Sequence, residues 1–296
     1  MVLGIGGGGD VVGALAAAHL CRRLGLPPRV GGVTWERLPI DPRPGPRSAD
    51  EILDATELAP GVLEASAATR TTDGAVFAES HMARVLGEPT LLVDVGLGPA
   101  RVAAGLTAVV PADALFVFVD VGGDVLGHGT EPGLASPLCD AVMLAAAALM
   151  QRRGRRVVAA VFGPCCDGEL TPEELLGQVA RLAADGGVIG LDAITEDMAA
   201  ELERAIHEVP TEASAQAVRC ARGEVGTATI RAGRRTVPLS PLGATTIYFD
   251  PDRAVSGVAR LARLVLEAAD LAHAQELLAA EGVRTELDYE LERSPQ

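Results

Sequence analysis

The residues best suited to chemistry form an acidic stretch in the middle of the chain. Asp120, Asp124, His128 and Glu131 follow one another at short spacing around a Gly-Gly pair, and Asp140 comes soon after. Carboxylate and water ligands suit Mg²⁺ or Mn²⁺, and an imidazole ligand shifts the preference towards Mn²⁺. We expect Asp120, Asp124 and His128 to bind such a cation. The alternative is that Asp120 caps a turn and His128 is only solvated.

A second acidic motif follows a predicted strand later in the chain. Asp167 and Glu169 stand on either side of a glycine, directly after the adjacent Cys165 and Cys166. A carboxylate at a strand end can act as a general base, so Asp124, Asp167 and Glu169 are the candidate catalytic residues. A cysteine nucleophile is the weaker alternative, because small buried thiols are commoner than activated ones.

A glycine cluster opens the chain and precedes an alanine-rich segment. Its spacing matches G-x-G-x-x-G, the pattern of a strand-to-helix turn whose backbone approaches a phosphate closely. We expect the turn to contact a phosphate or a nucleotide, and a tight turn without ligand is the alternative. The predicted contacts are Gly6, Gly7, Gly8, Gly9 and Asp10.

Glu36 follows the second predicted strand, at the position of an acid that holds a ribose hydroxyl in dinucleotide-binding folds. It is equally placed to pair with Arg37 or Arg43. Both roles stay open on the sequence alone.

The elements that position these residues follow an alternation of apolar strands and Ala/Leu-rich helices, which is typical of a parallel sheet. The sequence predicts an α/β fold with a Rossmann-like, mostly parallel sheet, helices on both faces, and a C-terminal β-hairpin plus helices. Strands are predicted over 1–5, 29–35, 90–95, 114–119, 156–162 and 187–194, and helices over 10–24, 99–108, 137–153, 172–184 and 196–208.

The C-terminal part of the chain has a different pattern. It predicts a hairpin over 226–230 and 235–239, a strand over 245–249, helices over 251–269 and 271–281, and a polar tail. We therefore interpret 1–296 as one α/β domain, in which 1–224 form the Rossmann-like core and 225–296 a hairpin and helical extension.

Composition excludes several classes of function. The net charge of −15 disfavours nucleic acid and anionic membranes as partners. Every basic residue is arginine, so Schiff-base chemistry and a P-loop lysine are excluded. Five cysteines without C-x-x-C spacing and the lack of a signal-peptide pattern indicate a cytoplasmic protein with reduced thiols. A homo-oligomeric state stays open.

The motifs together resemble one family. The chain opens with V-L-G-I-G-G-G-G-D and carries D-V-G-G-D at 120–124, S-P-L-C-D at 136–140 and D-G-E-L at 167–170. This combination is similar to a prokaryotic domain-of-unknown-function family, and the resemblance spans nearly the whole chain. It implies a single Rossmann-like domain and no established activity.

We expect a metabolic enzyme that binds a phosphorylated or nucleotide-like small molecule at the glycine turn. The acidic residues would assist group transfer or hydrolysis, with Mg²⁺ or Mn²⁺ as candidate cofactor. Two alternatives use the same turn: an NAD(P)- or flavin-dependent oxidoreductase, and a non-catalytic nucleotide-sensing protein.

Overall fold

The protein, described over residues 1–293 by a computed structural model, is built on a nine-stranded sheet and a separate two-stranded hairpin. The strands in chain order are β1 (Val2–Gly4), β2 (Val30–Val33), β3 (Ile52–Ala59), β4 (Val62–Thr71), β5 (Thr90–Val93), β6 (Leu115–Val121), β7 (Arg156–Phe162), β8 (Val188–Ala193), β9 (Gly226–Ile230), β10 (Arg235–Leu239) and β11 (Thr245–Phe249).

Helices fill most of the connections between these strands. They are α1 (Val11–Arg23), α2 (Ala78–Leu86), α3 (Pro99–Ala108), α4 (Pro137–Arg152), α5 (Pro172–Ala184), α6 (Glu196–Glu208), α7 (Ala213–Ala221), α8 (Pro251–Gly257), α9 (Arg260–Leu264), α10 (Leu271–Ala280) and α11 (Glu286–Arg293). No helix within residues 1–293 is both long enough and apolar enough to cross a membrane.

The central five strands are parallel and follow the order β5-β2-β1-β6-β7. This is the order of a Rossmann-type sheet, in which the chain moves outwards from β1 on one side and from β6 on the other. Antiparallel strands extend both edges, with β4 and β3 beyond β5, and β11 and β8 beyond β7. The predicted α/β fold with a mostly parallel sheet is confirmed.

Helices cover both faces of the sheet, as predicted. Along β6, Phe116 and Phe118 belong to one buried cluster, whereas Val117 and Val119 belong to another. Because successive strand residues point to opposite faces, these two clusters lie on opposite sides of the sheet. The helices α3, α4, α5, α8, α9 and α10 contribute to the first, and α1, α2, α6 and α7 to the second.

Four regions differ from the prediction. Sequence patterning missed the β3–β4 hairpin and α2, because β3 is exposed at most positions and shows no clean alternation. It also missed the short helix α7. The helix predicted over 251–269 is interrupted after Gly257 and forms α8 and α9. The segment predicted as a polar tail forms α11, which packs against α4.

The C-terminal part of the chain also completes the central sheet. Strand β11 lies between β7 and β8 and is antiparallel to both. The hairpin predicted at 226–239 is present as β9 and β10, with the predicted bounds. Residues after 225 therefore add both a separate hairpin and an internal strand of the main sheet.

Candidate functional site

A cavity of about 1090 Å³ opens at the carboxyl ends of the parallel strands. Its walls include residues 6–10 after β1, 36–40 after β2, Asp120 and Asp124 at the end of β6, and 167–169 after β7. The strand order reverses between β1 and β6, and ligands of open α/β sheets bind at this kind of switch point. Segments that are far apart in the sequence thus converge on one ligand-sized space.

Three aspartates from separate elements form the first carboxylate group, here called the Asp140 cluster. Asp10 ends the glycine turn, Asp120 lies on β6, and Asp140 lies in the first turn of α4. One oxygen of each lies within 4.8 Å of the others. Asp120 alternates along β6 with Val119 and Val121, so its side chain points to the face that α4 covers.

The second group, the Asp167 cluster, consists of Asp124, Asp167 and Glu169, again with oxygens within 4.8 Å of one another. Asp124 follows β6 in a short 3₁₀ turn, and the other two follow β7. Gly122 lies between them with φ of 117°, and a Cβ at this position would overlap the Asp167 side chain. Glycine is therefore required for the two segments to approach each other.

The aspartates of both clusters lie close together, and all of them are buried except Asp10, which is partly exposed. Burial raises the pKa of Asp10 and of Asp167 to about 7, and raises the pKa of Asp120, Asp124 and Asp140 well above the usual range. Neighbouring carboxylates add to the rise at Asp120, Asp124, Asp140 and Asp167. Asp120 and Asp124 each influence the pKa of the other, so the two clusters adjoin.

Several of these carboxylate oxygens are buried without a partner. Among the described residues, Asp124 Oδ2, Asp140 Oδ1 and both Asp167 oxygens have no hydrogen-bond partner. A buried polar group without a partner is costly, and a buried charge more so, unless a counter-ion compensates it. The arrangement is therefore suited to hold a cation.

Glu169 differs from the aspartates around it. Its carboxylate accepts hydrogen bonds from Ala135 N at 2.7 Å, from Ser136 N at 2.9 Å and from Ser136 Oγ at 2.5 Å. Burial opposes ionisation, but the charges of Arg235 and Arg231 and these hydrogen bonds outweigh it and lower the Glu169 pKa. Glu169 is thus an ionised anchor for the loop that leads into α4.

The structure divides the predicted cation ligands: Asp120 belongs to the Asp140 cluster, Asp124 belongs to the adjoining Asp167 cluster, and His128 lies outside both. His128 is exposed, and its loop wraps around Glu131, whose carboxylate accepts from three consecutive backbone N–H groups beginning at His128. The imidazole lines neither the cavity nor a carboxylate group. Asp140, which the sequence analysis did not predict as a ligand, is the third carboxylate beside Asp120, where His128 was expected to complete the cation site.

The glycine turn lies against the Asp140 cluster, and part of its backbone is already hydrogen-bonded. Gly6 N donates to Asp10 Oδ2 at 2.8 Å, and Gly8 N donates to Trp35 O at 3.0 Å. Asp10 also stands at the start of α1, where a phosphate would otherwise meet the helix N-terminus. An ionised Asp10 would repel an anion at this turn unless a positive charge lies between the two.

Protein contacts also require glycine at two further positions of the turn. A Cβ on Gly7 would lie 2.7 Å from Trp35 O, and φ at Gly7 is 81°. A Cβ on Gly9 would overlap Thr211, which precedes α7. The phosphate-binding role of these glycines stays a prediction.

Glu36 lies in the cavity wall and caps a helix. Its Oε1 accepts a hydrogen bond from Ala78 N, the first residue of α2, and burial raises the Glu36 pKa to about 7. Arg37 pairs instead with Glu286 of α11, at 3.2 Å. The ribose contact proposed for Glu36 stays a prediction, with one of its oxygens already engaged.

Helix α11 contributes residues that the sequence analysis missed. Glu286 is buried and accepts hydrogen bonds from Leu138 N at 2.9 Å and Cys139 N at 2.8 Å, the free backbone groups at the start of α4. Glu290 accepts from the buried indole of Trp35 at 3.0 Å. The helix thereby holds in place the first turn of α4, which carries Asp140.

A local signal for α11 is present in the sequence. Thr285 N donates to Asp288 Oδ2 at 2.8 Å and its hydroxyl hydrogen bonds to the same oxygen at 3.0 Å, a capping arrangement of the kind that starts a helix. The T-E-L-D pattern at 285–288 could have indicated it. Its burial against α4 could not be read from the pattern.

The β9–β10 hairpin forms another part of the cavity wall and carries three arginines, Arg231, Arg234 and Arg235. Arg235 NH1 lies 3.2 Å from Glu169 Oε1, and Arg231 NH2 lies 3.7 Å from the same oxygen. The cavity therefore combines buried acids with a cationic edge. The hairpin itself was predicted from the sequence, but the position of its arginines in the cavity wall was not.

Comparison with known proteins identifies a family and no function. No curated protein and no solved structure matches the chain. The family described as "Protein of unknown function (DUF1152)" matches residues 1–294, which confirms the family resemblance expected from the motifs. Over nearly its whole length, the chain belongs to the DUF1152 family.

Proposed function

We propose that this protein is a metabolic enzyme that uses a divalent cation to hydrolyse a phosphorylated small molecule or to transfer a group from it. One observation carries the proposal. Two groups of three carboxylates, each with oxygens within 4.8 Å of one another, lie at the sheet edge where α/β folds bind ligands, and each group includes a buried aspartate oxygen without a hydrogen-bond partner among the described residues. Without a cation, this arrangement keeps several acids protonated or destabilises the fold.

Asp10, Asp120 and Asp140 are the proposed cation ligands. All three offer carboxylate oxygens, and they come from three elements that the core holds rigidly: the turn after β1, strand β6 and helix α4. An all-oxygen set suits Mg²⁺ or Mn²⁺. Such a cation would neutralise phosphate charge and polarise the phosphoryl oxygen.

Asp167 is the proposed general base. Neither of its oxygens has a hydrogen-bond partner among the described residues, and the residue lines the cavity next to Asp124. It is free to take a proton from a water molecule or a substrate hydroxyl. Glu169, the other candidate base, is better suited to positioning because hydrogen bonds and arginines already occupy its carboxylate.

We rank this function ahead of the dinucleotide-dependent alternative because Glu36, its proposed ribose ligand, caps α2.

A cytoplasmic setting is also part of the proposal. It is supported by the four buried free thiols and by the partly buried Cys21, since thiols stay reduced in that compartment.

The test starts with cation binding. We expect calorimetric titration with Mn²⁺ at neutral pH to show binding to the wild type, and Asp140→Asn to weaken it at least about tenfold. Asp113→Asn is the matched control, because Asp113 is exposed just before β6, at the opposite end of that strand. Equal affinities in the wild type and Asp140→Asn would contradict the proposed site.

Activity is then measured as phosphate release from a panel of phosphomonoesters, with Mg²⁺ or with EDTA. We expect release only with the cation. Asp167→Asn should lower kcat by roughly 10²- to 10⁴-fold, the usual contribution of a general base. Its Mn²⁺ affinity should stay within about threefold of the wild-type value. Full activity in this variant would exclude Asp167 as the base.

A further inference from the structure

Three arginines of the β9–β10 hairpin lie together along one edge of the cavity and make that edge cationic. Arg231, Arg234 and Arg235 all line the cavity, and the chain contains no lysine. In this protein, recognition of a substrate anion by a cationic side chain must therefore use arginine. A guanidinium offers planar, paired N–H donors that match two oxygens of a phosphate.

The turn that presents Arg231 has an unusual backbone. Arg231 and Ala232 have φ of 53° and 55°, and Gly233 N donates to Ile230 O at 3.1 Å. Gly233 also has positive φ, at 81°, so three consecutive residues of the four-residue loop 231–234 adopt the left-handed region, where side chains other than Gly and Asn are strained. Strained residues of this kind cluster at binding sites.

A specific contact holds Arg231 in this conformation. Arg231 N donates to the Glu212 carboxylate at 2.7 Å, and Glu212 lies at the start of α7 and itself lines the cavity. Helix α7 packs against β10. The side chain of Arg231 is therefore presented to the cavity from a fixed backbone although it stands on a hairpin tip.

The guanidinium groups have more donors than their protein partners use. Among the described residues, Arg231 has a single ion pair, at 3.7 Å from Glu169, which is too long for a hydrogen bond. Glu169 is already occupied by three hydrogen bonds from residues 135 and 136 and by the closer Arg235. Within the part of the chain that the structure describes, Arg234 donates only through Nε, to Arg231 O at 2.9 Å. The remaining N–H groups can bind an oxyanion.

We propose that Arg231 and Arg234 form the phosphate-recognition site of this cavity, with Arg235 and Glu169 positioning the hairpin, and that the substrate carries a terminal phosphomonoester. The inference rests on the proposed function, because it places the substrate's phosphate between the hairpin and the carboxylate clusters. It adds the substrate class and assigns the specificity-determining residues.

The test uses inorganic phosphate as probe and the full chain. Calorimetric titration with phosphate, at saturating Mg²⁺ and again without metal, compares wild type, Arg231→Gln, Arg231→Lys and Arg204→Gln. Arg204 is an exposed arginine of α6 outside the cavity, and within residues 1–293 its only hydrogen bond is to Ala200 O in its own helix. Malonate serves as a carboxylate dianion in parallel titrations.

We expect Arg231→Gln to weaken phosphate binding by roughly 10- to 100-fold, the effect of losing charge-assisted hydrogen bonds. Arg231→Lys should recover part of the affinity because it keeps the charge and loses the paired donors. Arg204→Gln should bind as the wild type does. We also expect the wild type to bind phosphate more tightly than malonate.

Two results would overturn the assignment: equal phosphate affinity in Arg231→Gln and Arg204→Gln, or a wild-type preference for malonate. A separate Mg²⁺ titration without phosphate distinguishes failure of the cation-dependent function from failure of the hairpin assignment. If Mg²⁺ fails to bind while Arg231→Gln still weakens metal-free phosphate binding, the cation-dependent function is wrong and the hairpin assignment stands.

Discussion

Gly6 and Gly122 lie beside the two carboxylate clusters, and at each position an added side chain would occupy the space of an acid. A Cβ on Gly6 would lie 2.6 Å from Asp10 Oδ2 and 3.1 Å from Asp140 Oδ2. A Cβ on Gly122 would overlap Asp167. At the residue scale, the glycines near this cavity serve the close packing of carboxylates as much as any contact with a ligand.

The substitution Gly122→Ala tests whether a glycine is needed for the close packing of Asp167. We expect it to lower the free energy of unfolding by about 2–4 kcal/mol, through overpacking against Asp167 and the unfavourable positive φ. Mn²⁺ affinity should fall as well, because the end of β6 would shift. Urea denaturation and calorimetry measure both effects.

Gly177→Ala is the matched control for that substitution. Gly177 lies inside α5, and a Cβ there would meet no described atom within 4 Å apart from the neighbouring backbone of its own helix. We expect a stabilisation of about 0.5–1 kcal/mol, because alanine is the better helix former. The steric explanation would be wrong if both alanine variants unfolded at the same urea concentration.

At the scale of elements, α11 and α4 form a unit on which Asp140 depends. Helix α4 is buried on nearly all sides, and its first free N–H groups donate to Glu286 of α11. The same carboxylate pairs with Arg37, which also donates to Gly6 O. One helix thus connects the glycine turn with the start of α4, the two elements that carry Asp10 and Asp140.

Glu286→Ala should therefore weaken both the fold and the cation site. Two backbone N–H groups and Arg37 would lose a buried partner, at a cost of about 2–4 kcal/mol in the free energy of unfolding. Glu292→Ala on the same helix removes only an exposed ion pair with Arg284, worth about 0–1 kcal/mol. Equal urea midpoints for the two variants would show that α11 does not hold α4.

At the scale of the whole molecule, the buried acids make stability depend on pH. In the folded protein, burial raises the pKa of Asp10, Glu36 and Asp167 to about 7, whereas unfolded carboxyls titrate near 4. Between about pH 4 and pH 7 the folded state thus binds more protons than the unfolded state. Stability must then fall as the pH rises through this window.

We expect the Tm of the metal-free protein to fall by several degrees between pH 5 and pH 8, and Mg²⁺ to restore much of the loss at pH 8. Differential scanning calorimetry measures the change. NaCl at matched ionic strength is the control, because the net charge of −15 also produces repulsion that any salt screens. A Tm that is constant or rises over this range would contradict the raised pKa values.

The local features of this protein follow from patterns of neighbouring residues in its sequence. Continuous apolar runs predicted the parallel strands, and the hairpin at 226–239 followed from its turn and alternation, because these signals depend on neighbouring residues. Acidic residues and glycines follow several of the predicted strands, and the structure places them around one cavity because parallel strands end on the same side of the sheet.

Which carboxylates lie next to one another depends on the tertiary structure. Sequence spacing grouped His128 with Asp120, whereas the adjacency of β1 and β6 and the packing of α4 bring Asp10 and Asp140 to Asp120 instead. Spacing along the chain measures distance only within one element, while sheet order and helix packing set distances between elements. For the same reason, the polar sequence of α11 did not predict that this helix packs against α4.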